Sequence, residues 1–285
     1  MAPHANGNGK AKSPARVRAA PEPKENIFLF YPNMIGYSRI VLAVASLYYM
    51  PLHPRTCSIL YSISCLLDAL DGYAARYFHQ STKFGAVLDM VTDRCTTACL
   101  LVFLGSAFPR WSIVFQMLIS LDLASHYMHM YATLSMGGSD QSHKKIADGR
   151  PWIMKVYYSN NKVLFTFCLF NELFFIALYL LSFSSPILSP SLLQTSPSTL
   201  QPGSPAAPKP SVLFTSPWSA GAMEMARANK MDSQIPWTLA GISVLFMLIK
   251  QYINVIQLIE ASKWLAEGDV EERRKLGLPK KKKAA

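Results

Sequence analysis

Charge is what this chain has least of: 16% of its 285 residues are Asp, Glu, Lys or Arg, against about 25% in soluble globular domains. The 51% of hydrophobic residues are bunched into several nearly uncharged windows of about 20, the length that crosses a hydrocarbon core of about 30 Å. This pattern excludes an ordinary water-soluble core and predicts membrane-spanning helices. The N-terminal arm lacks the apolar run that a cleavable signal peptide places beside its basic residues, so it is expected to stay cytosolic. Cysteine is sparse as well. Cys57, Cys65, Cys95, Cys99 and Cys168 all sit in or beside apolar segments, without the paired loop spacing of a zinc site. They read as reduced packing residues, with Cys95 and Cys99 as small buried thiols on one helix rather than a metal pair. No internal repeat is apparent, and 184–235 contains no N-x-Ser/Thr acceptor.

What the chain does have is positive charge at its edges. The net charge of +11 gathers in the arm, in 144–162 and in the terminal RRKLGLPKKKKAA. Beside membrane helices such charge orients the protein toward the cytosol, and a nucleic-acid partner is not expected. Six spans are predicted at 33–50, 57–78, 85–107, 112–135, 160–183 and 236–260, with Pro32, Pro51, Pro109 and Pro236 marking ends. The run ENIFLFYP before the first span suits the membrane interface. Alternation of Lys- and Arg-rich connections puts both termini in the cytosol and 184–235 on the luminal side. The expected organisation is a basic arm (1–25), a membrane domain (26–183) completed by a sixth helix (236–262), a flexible Pro/Ser-rich insertion (184–235) and a basic tail (263–285). The terminal KKAA reads as a dilysine address to the endoplasmic reticulum membrane, or as a basic patch for anionic lipid.

Against this apolar background, DALDGYAARYFHQSTKFGAVLDMVTD carries four aspartates within residues 68–93. Asp68, Asp71, Gly72, Ala75 and Arg76 share one stripe of a helix, and Gly85, Asp89 and Asp93 share one stripe of the next. The short polar link YFHQSTK makes the two a hairpin, so four carboxylates converge near the cytosolic surface. Each ionised carboxylate in a membrane segment costs at least about 2.5–3.5 kcal/mol, and Arg76 alone cannot balance four. Divalent cations can, and ligands that are all oxygen select hard ions such as Mg²⁺ or Mn²⁺ over zinc. Gly72, Ala75 and Gly85 clear side-chain bulk from the same stripes, and Arg76 can grip a phosphate. With a hydroxyl from Thr82, they outline the floor of a nucleotide pocket. Asn33 and Arg39 open the first helix at the same surface, Asn33 to cap it or touch a donor head group, Arg39 to pair with an aspartate or a phosphate.

The pattern D-x2-D-G-x2-A-R-x8-G-x3-D-x3-D is matched in full by Asp68, Asp71, Gly72, Ala75, Arg76, Gly85, Asp89 and Asp93, and it resembles the signature of the CDP-alcohol phosphatidyltransferases. The resemblance implies an all-α integral membrane fold of six transmembrane helices, usually a homodimer, with two divalent metals held by Asp68, Asp71, Asp89 and Asp93. It further implies that Asp93 is also the general base, and that Gly72, Arg76 and Thr82 contact the CDP part of the donor.

The flanking runs NIFLFYPNMIGYSRIVLA, SLDLASHYMH, SHKKI and FNELF, over about residues 26–183, are similar to the eukaryotic, inositol-using branch of that family. This implies CDP-diacylglycerol and myo-inositol as substrates. The likeness lapses at 184–235. A polar acceptor ring needs donors and acceptors, for which Ser142, His143, Lys144, Lys145 and Arg150 are available, with Asp122, Ser125 and His126 on the fourth helix. Asp122 and His126, four apart, suit either a functional role or a structural hydrogen-bonded pair. A divalent-cation transporter is the competing class; it would spread its carboxylates through the depth of the membrane.

Overall fold

Proline and short polar side chains set the helix boundaries in the computed structural model, which describes residues 25–136, 157, 160–184, 226–227 and 230–278. Among the described residues six long helices follow one another: α1 (Tyr31–Tyr49), α2 (Pro54–Tyr77), α3 (Lys83–Ala107), α4 (Ser112–Met136), α5 (Asn161–Leu181) and α6 (Gln234–Lys275). No strand occurs among the described residues. Pro32 and Pro54 stand in the first turns of α1 and α2, where a missing N–H costs nothing. Thr82 caps α3 by accepting the Gly85 N–H at 3.0 Å, and Asn160 caps α5 by accepting the Lys162 N–H at 2.9 Å. The α2–α3 hairpin closes on His79, which takes the left-handed conformation (φ 55°), while the Gln80 N–H reaches back to Ala75 O at 2.9 Å.

The last helix runs on past 262, where the sixth span was expected to end, into the basic tail. α6 has 42 residues, about 63 Å at 1.5 Å per residue, roughly twice a hydrocarbon core. Basic character alone does not stop a helix. It ends where Gly277 adopts φ 66° and the Leu278 N–H turns back onto Arg273 O at 3.0 Å, just before Pro279. Arg273, Arg274 and Lys275 in the last turn also suit the negative end of the helix dipole.

The outward faces are apolar: Val41, Val102 and Leu245 are 67%, 63% and 61% exposed. Two helices, Lys162–Leu181 and Gln234–Lys275, are long and apolar enough to cross a membrane by composition alone; α2 and α3 dilute their apolarity with the charges of the site. Cys95 and Cys99 are exposed rather than buried as expected. They lie on the outward face of α3, where an apolar thiol is as much at home as it is in a core. The five cysteines are all free.

Within the bundle, α1 packs on α2 and α3, and α6 packs on α4 and α5. The hydrophobic core gathers at the end away from the α2–α3 hairpin, around Cys57, Leu100, Leu104, Phe115, Phe175, Tyr179 and Phe183. There the Tyr179 hydroxyl donates to Met50 O at 2.8 Å. Nearer the middle, Glu172 of α5 accepts from Tyr61 of α2 at 2.6 Å and Thr97 of α3 at 3.2 Å, joining three helices. Tyr61→Phe keeps the ring and strips Glu172 of its shortest hydrogen bond. The expected cost is about 1–2 kcal/mol, read as a lowered thermal midpoint in detergent. Adding Glu172→Gln should recover part of the loss, since the stranded charge is gone.

Candidate active site

The end of the bundle opposite the core is polar because α1, α2 and α3 each bring charge to one point. Arg39 of α1, 1% exposed, stands with its guanidinium between the four aspartates. Its Nη1 lies 2.5 Å from Asp71 Oδ2 and 2.6 Å from Asp89 Oδ1, and its Nη2 lies 2.7 Å from Asp68 Oδ1 and also bonds Asp93 Oδ1. Arg39, expected to pair with an aspartate or a phosphate, meets all four aspartates. Among the described residues Arg76 pairs with none of the four carboxylates, because it lies one turn further along α2 at the surface. Ser64 fixes the clamp from behind by donating to Arg39 O at 3.1 Å.

The four carboxylates are not equivalent. Asp71 exposes 9% of its side chain, whereas Asp68, Asp89 and Asp93 expose 39%, 45% and 32%, so the cluster is closed toward the core and open on its outer side. Ligand oxygens of Asp68, Asp71 and Asp89 lie within 4.8 Å of one another. Asp93 stands beside this trio, with Oδ2 3.3 Å from Arg94 Nη2. Asp68 Oδ1 is buried without an aligned hydrogen bond although Arg39 is near. An acceptor left open among converging carboxylates, in a donor set made only of oxygen, fits a hard divalent cation.

Beside the cluster lies a cleft of about 200 Å³. Asn33, Gly72, Ala75, Arg76, Thr82 and Gly85 all line it, together with Pro32, Gly36, Gln80 and Ser81, and Asp71 and Asp89 form its inner wall. The glycines matter sterically. A Cβ on Gly85 would come 2.9 Å from Asn33 Oδ1 and 3.2 Å from Thr82 Oγ1, and one on Gly36 would come 3.1 Å from Leu88. Bare backbone is therefore what lets α1 and α3 close around the cleft. Asn33 donates to Ile27 O at 2.6 Å, tying the chain before α1 to the mouth. Exposed aromatic rings gather there, with Phe28 against Phe84 and Tyr31 against Phe78.

A second polar group, of which Asp122, Ser125 and His126 were foreseen from sequence and Arg94, Lys250, Asn254 and Gln251 were not, continues inward from Asp93. Arg94 holds Asp122 of α4 with both carboxylate oxygens near Nη1, at 2.8 and 3.0 Å. Asp122 also accepts from Asn254 of α6 at 3.4 Å, and Asn254 accepts from Lys250 at 2.7 Å. Gln251 reaches Asn171 of α5 at 3.1 Å. His126 Nδ1 lies 2.8 Å from Asp122 O and Ser125 donates to the same oxygen at 3.1 Å, so these two stay on their own helix while the Asp122 carboxylate serves Arg94. Arg94 was legible as the residue after the last motif aspartate. Lys250, Asn254 and Gln257, spaced four and three apart in an apolar helix and all buried, carried the usual signal of functional polarity in a membrane segment. Ser142, His143, Lys144, Lys145 and Arg150 lie outside the described residues.

Comparison with known proteins places this arrangement. The family model for CDP-alcohol phosphatidyltransferase matches residues 29–187, and the chain belongs to that family. The CDP-diacylglycerol-inositol 3-phosphatidyltransferase of Schizosaccharomyces pombe is 48% identical over 249 residues, covering 87% of this chain and 94% of the relative. Proteins of the same name from Rattus norvegicus and Saccharomyces cerevisiae are 52% identical over 163 residues and 50% identical over 161. They cover 57% and 56% of this chain and 75% and 72% of the relatives. No solved structure matches the chain.

Proposed function

We propose that this protein transfers the phosphatidyl group of CDP-diacylglycerol to a hydroxyl of myo-inositol, giving phosphatidylinositol and CMP. The observation that carries the reading is the junction of a carboxylate cluster with a cleft lined by the family motif, in a chain 48% identical to an inositol phosphatidyltransferase over 94% of that enzyme. In this reading Asn33, Gly72, Ala75, Arg76, Thr82 and Gly85 seat the CDP part of the donor. Bare Gly72 and Gly85 let the nucleotide approach the backbone, and the Arg76 fork takes a phosphate. Asp68, Asp71, Asp89 and Asp93 would hold two hard ions, Mg²⁺ or Mn²⁺, which supply charge neutralisation at the diphosphate when bound.

The chain's own part in the chemistry is positioning and proton transfer. Asp93 accepts the proton of the inositol hydroxyl, whose oxygen forms the new bond to the β-phosphorus. The bond from that phosphorus to the bridging oxygen breaks, and CMP departs with the electron pair. The acceptor is assigned to the 142–150 segment. The protein is further read as a homodimer of six-span subunits in the endoplasmic reticulum membrane, with the site and both termini facing the cytosol.

Purified protein supplied with CDP-diacylglycerol and Mg²⁺ or Mn²⁺ is expected to release CMP with inositol, and not with serine, glycerol phosphate or choline. Release with one of those instead moves the assignment to that acceptor. Metal flux into liposomes without nucleotide would favour a transporter.

A further inference from the structure

We propose that Arg94, anchored by Asp122, is a positioning residue that fixes the carboxylate of Asp93; this rests on the role of Asp93 given above. The two oxygens of Asp93 have different partners, Oδ1 on Arg39 and Oδ2 on Arg94. Without the second contact the carboxylate is free to swing about its first, so Arg94 sets its angle. Distances give the order of strength. Arg94 reaches both oxygens of Asp122 at 2.8 and 3.0 Å and Asp93 only at 3.3 Å. Its charge is therefore matched chiefly by Asp122, and Asp93 receives orientation while remaining an open carboxylate.

The anchor is itself held. Asn254, 0% exposed, touches Asp122, and Lys250, 4% exposed, bonds Asn254. The line Lys250–Asn254–Asp122–Arg94–Asp93 thus runs from α6 through α4 to the site on α3. Such a line is a poor means of holding helices together, because a well-packed apolar substitute for a buried ion pair is often as stable or more so. Structural pairing also needs only Arg94 and Asp122. The additional contact with Asp93 is what a purely structural pair would lack, and it joins the site to the helix farthest from it in sequence.

The test compares Arg94→Gln, Arg94→Lys, Asp122→Asn and the double variant Arg94→Gln with Asp122→Asn in the purified full chain. It measures kcat and KM for CDP-diacylglycerol with Mn²⁺, and thermal midpoints in EDTA. A base displaced by about 1 Å loses about 100-fold in rate. Arg94→Gln is therefore expected to lower kcat by about 10- to 100-fold with KM unchanged. Arg94→Lys, a point charge without the fork, should keep the thermal midpoint and regain only part of kcat. The double variant leaves neither Arg94 nor Asp122 as a charge stripped of its partner, so it should regain the midpoint lost by the single variants while kcat stays low. Recovery of kcat together with the midpoint in the double variant would overturn the positioning role, as would a change in KM alone. A parent that releases no CMP with inositol would overturn the reading of Asp93 and this role with it.

Discussion

Asp93→Asn is expected to slow CMP release by about 10²- to 10⁴-fold, the range that a positioned general base contributes, while leaving the fold and donor binding in place. Asparagine has the same shape, and its amide oxygen still accepts from Arg39, which touches Asp93 through Oδ1. The amide cannot take up the acceptor's proton. Asp89→Asn provides the contrast. Asp89 belongs to the trio whose oxygens lie within 4.8 Å of one another, and an amide oxygen there remains a weaker ligand for a hard ion. Raising Mn²⁺ should therefore recover part of the activity of Asp89→Asn and none of that of Asp93→Asn. Parental turnover by Asp93→Asn would remove this residue from the reaction, and equal recovery of both variants by Mn²⁺ would make it a ligand only.

The carboxylate hairpin was legible in the sequence because its information is local. Offsets of three and four residues put Asp68, Asp71 and Gly72 on one stripe and Asp89 and Asp93 on another, and the seven-residue link left the two helices no arrangement but side by side. The cleft was legible for a similar reason: small residues at those offsets mark close approach, which the 2.9 Å clearance at Gly85 makes concrete. What escaped was long-range. A lone arginine in an apolar helix must have partners, yet only the packing of α1 against both α2 and α3 chooses all four aspartates for Arg39. Likewise Arg94 reads as a flank of the motif until α4 brings Asp122, 28 residues away, within 2.8 Å. The tail of α6 escaped for the opposite reason: its composition signals cytosolic charge, which is compatible with helix, and only Gly277 and Pro279 mark the stop.

Arg39→Met should make the stability of the protein depend on divalent ions. Among the described residues Arg39 is the one cation in contact with all four carboxylates, so its loss leaves like charges facing one another with only Arg94 beside Asp93. Breaking a buried ion pair by removing one partner costs about 3–5 kcal/mol. The lower figure applies here because three of the four aspartates keep about a third or more of their side chains exposed. At about 2–4 °C per kcal/mol for a chain near this size, the thermal midpoint in EDTA should fall by about 6–12 °C. In the proposed reading Mn²⁺ takes the same oxygens that Arg39 occupies. The added ion should therefore raise the midpoint of Arg39→Met by more than it raises that of the parent, where the guanidinium competes for those ligands. Arg39→Lys retains a charge but no fork, and one ammonium cannot span four carboxylates as two guanidinium nitrogens do, with three of them at 2.5–2.7 Å; it should fall between the two. A loss equal in EDTA and in Mn²⁺ would reduce Arg39 to a packing residue, and no loss in EDTA would mean that the four pairings do not stabilise the metal-free protein.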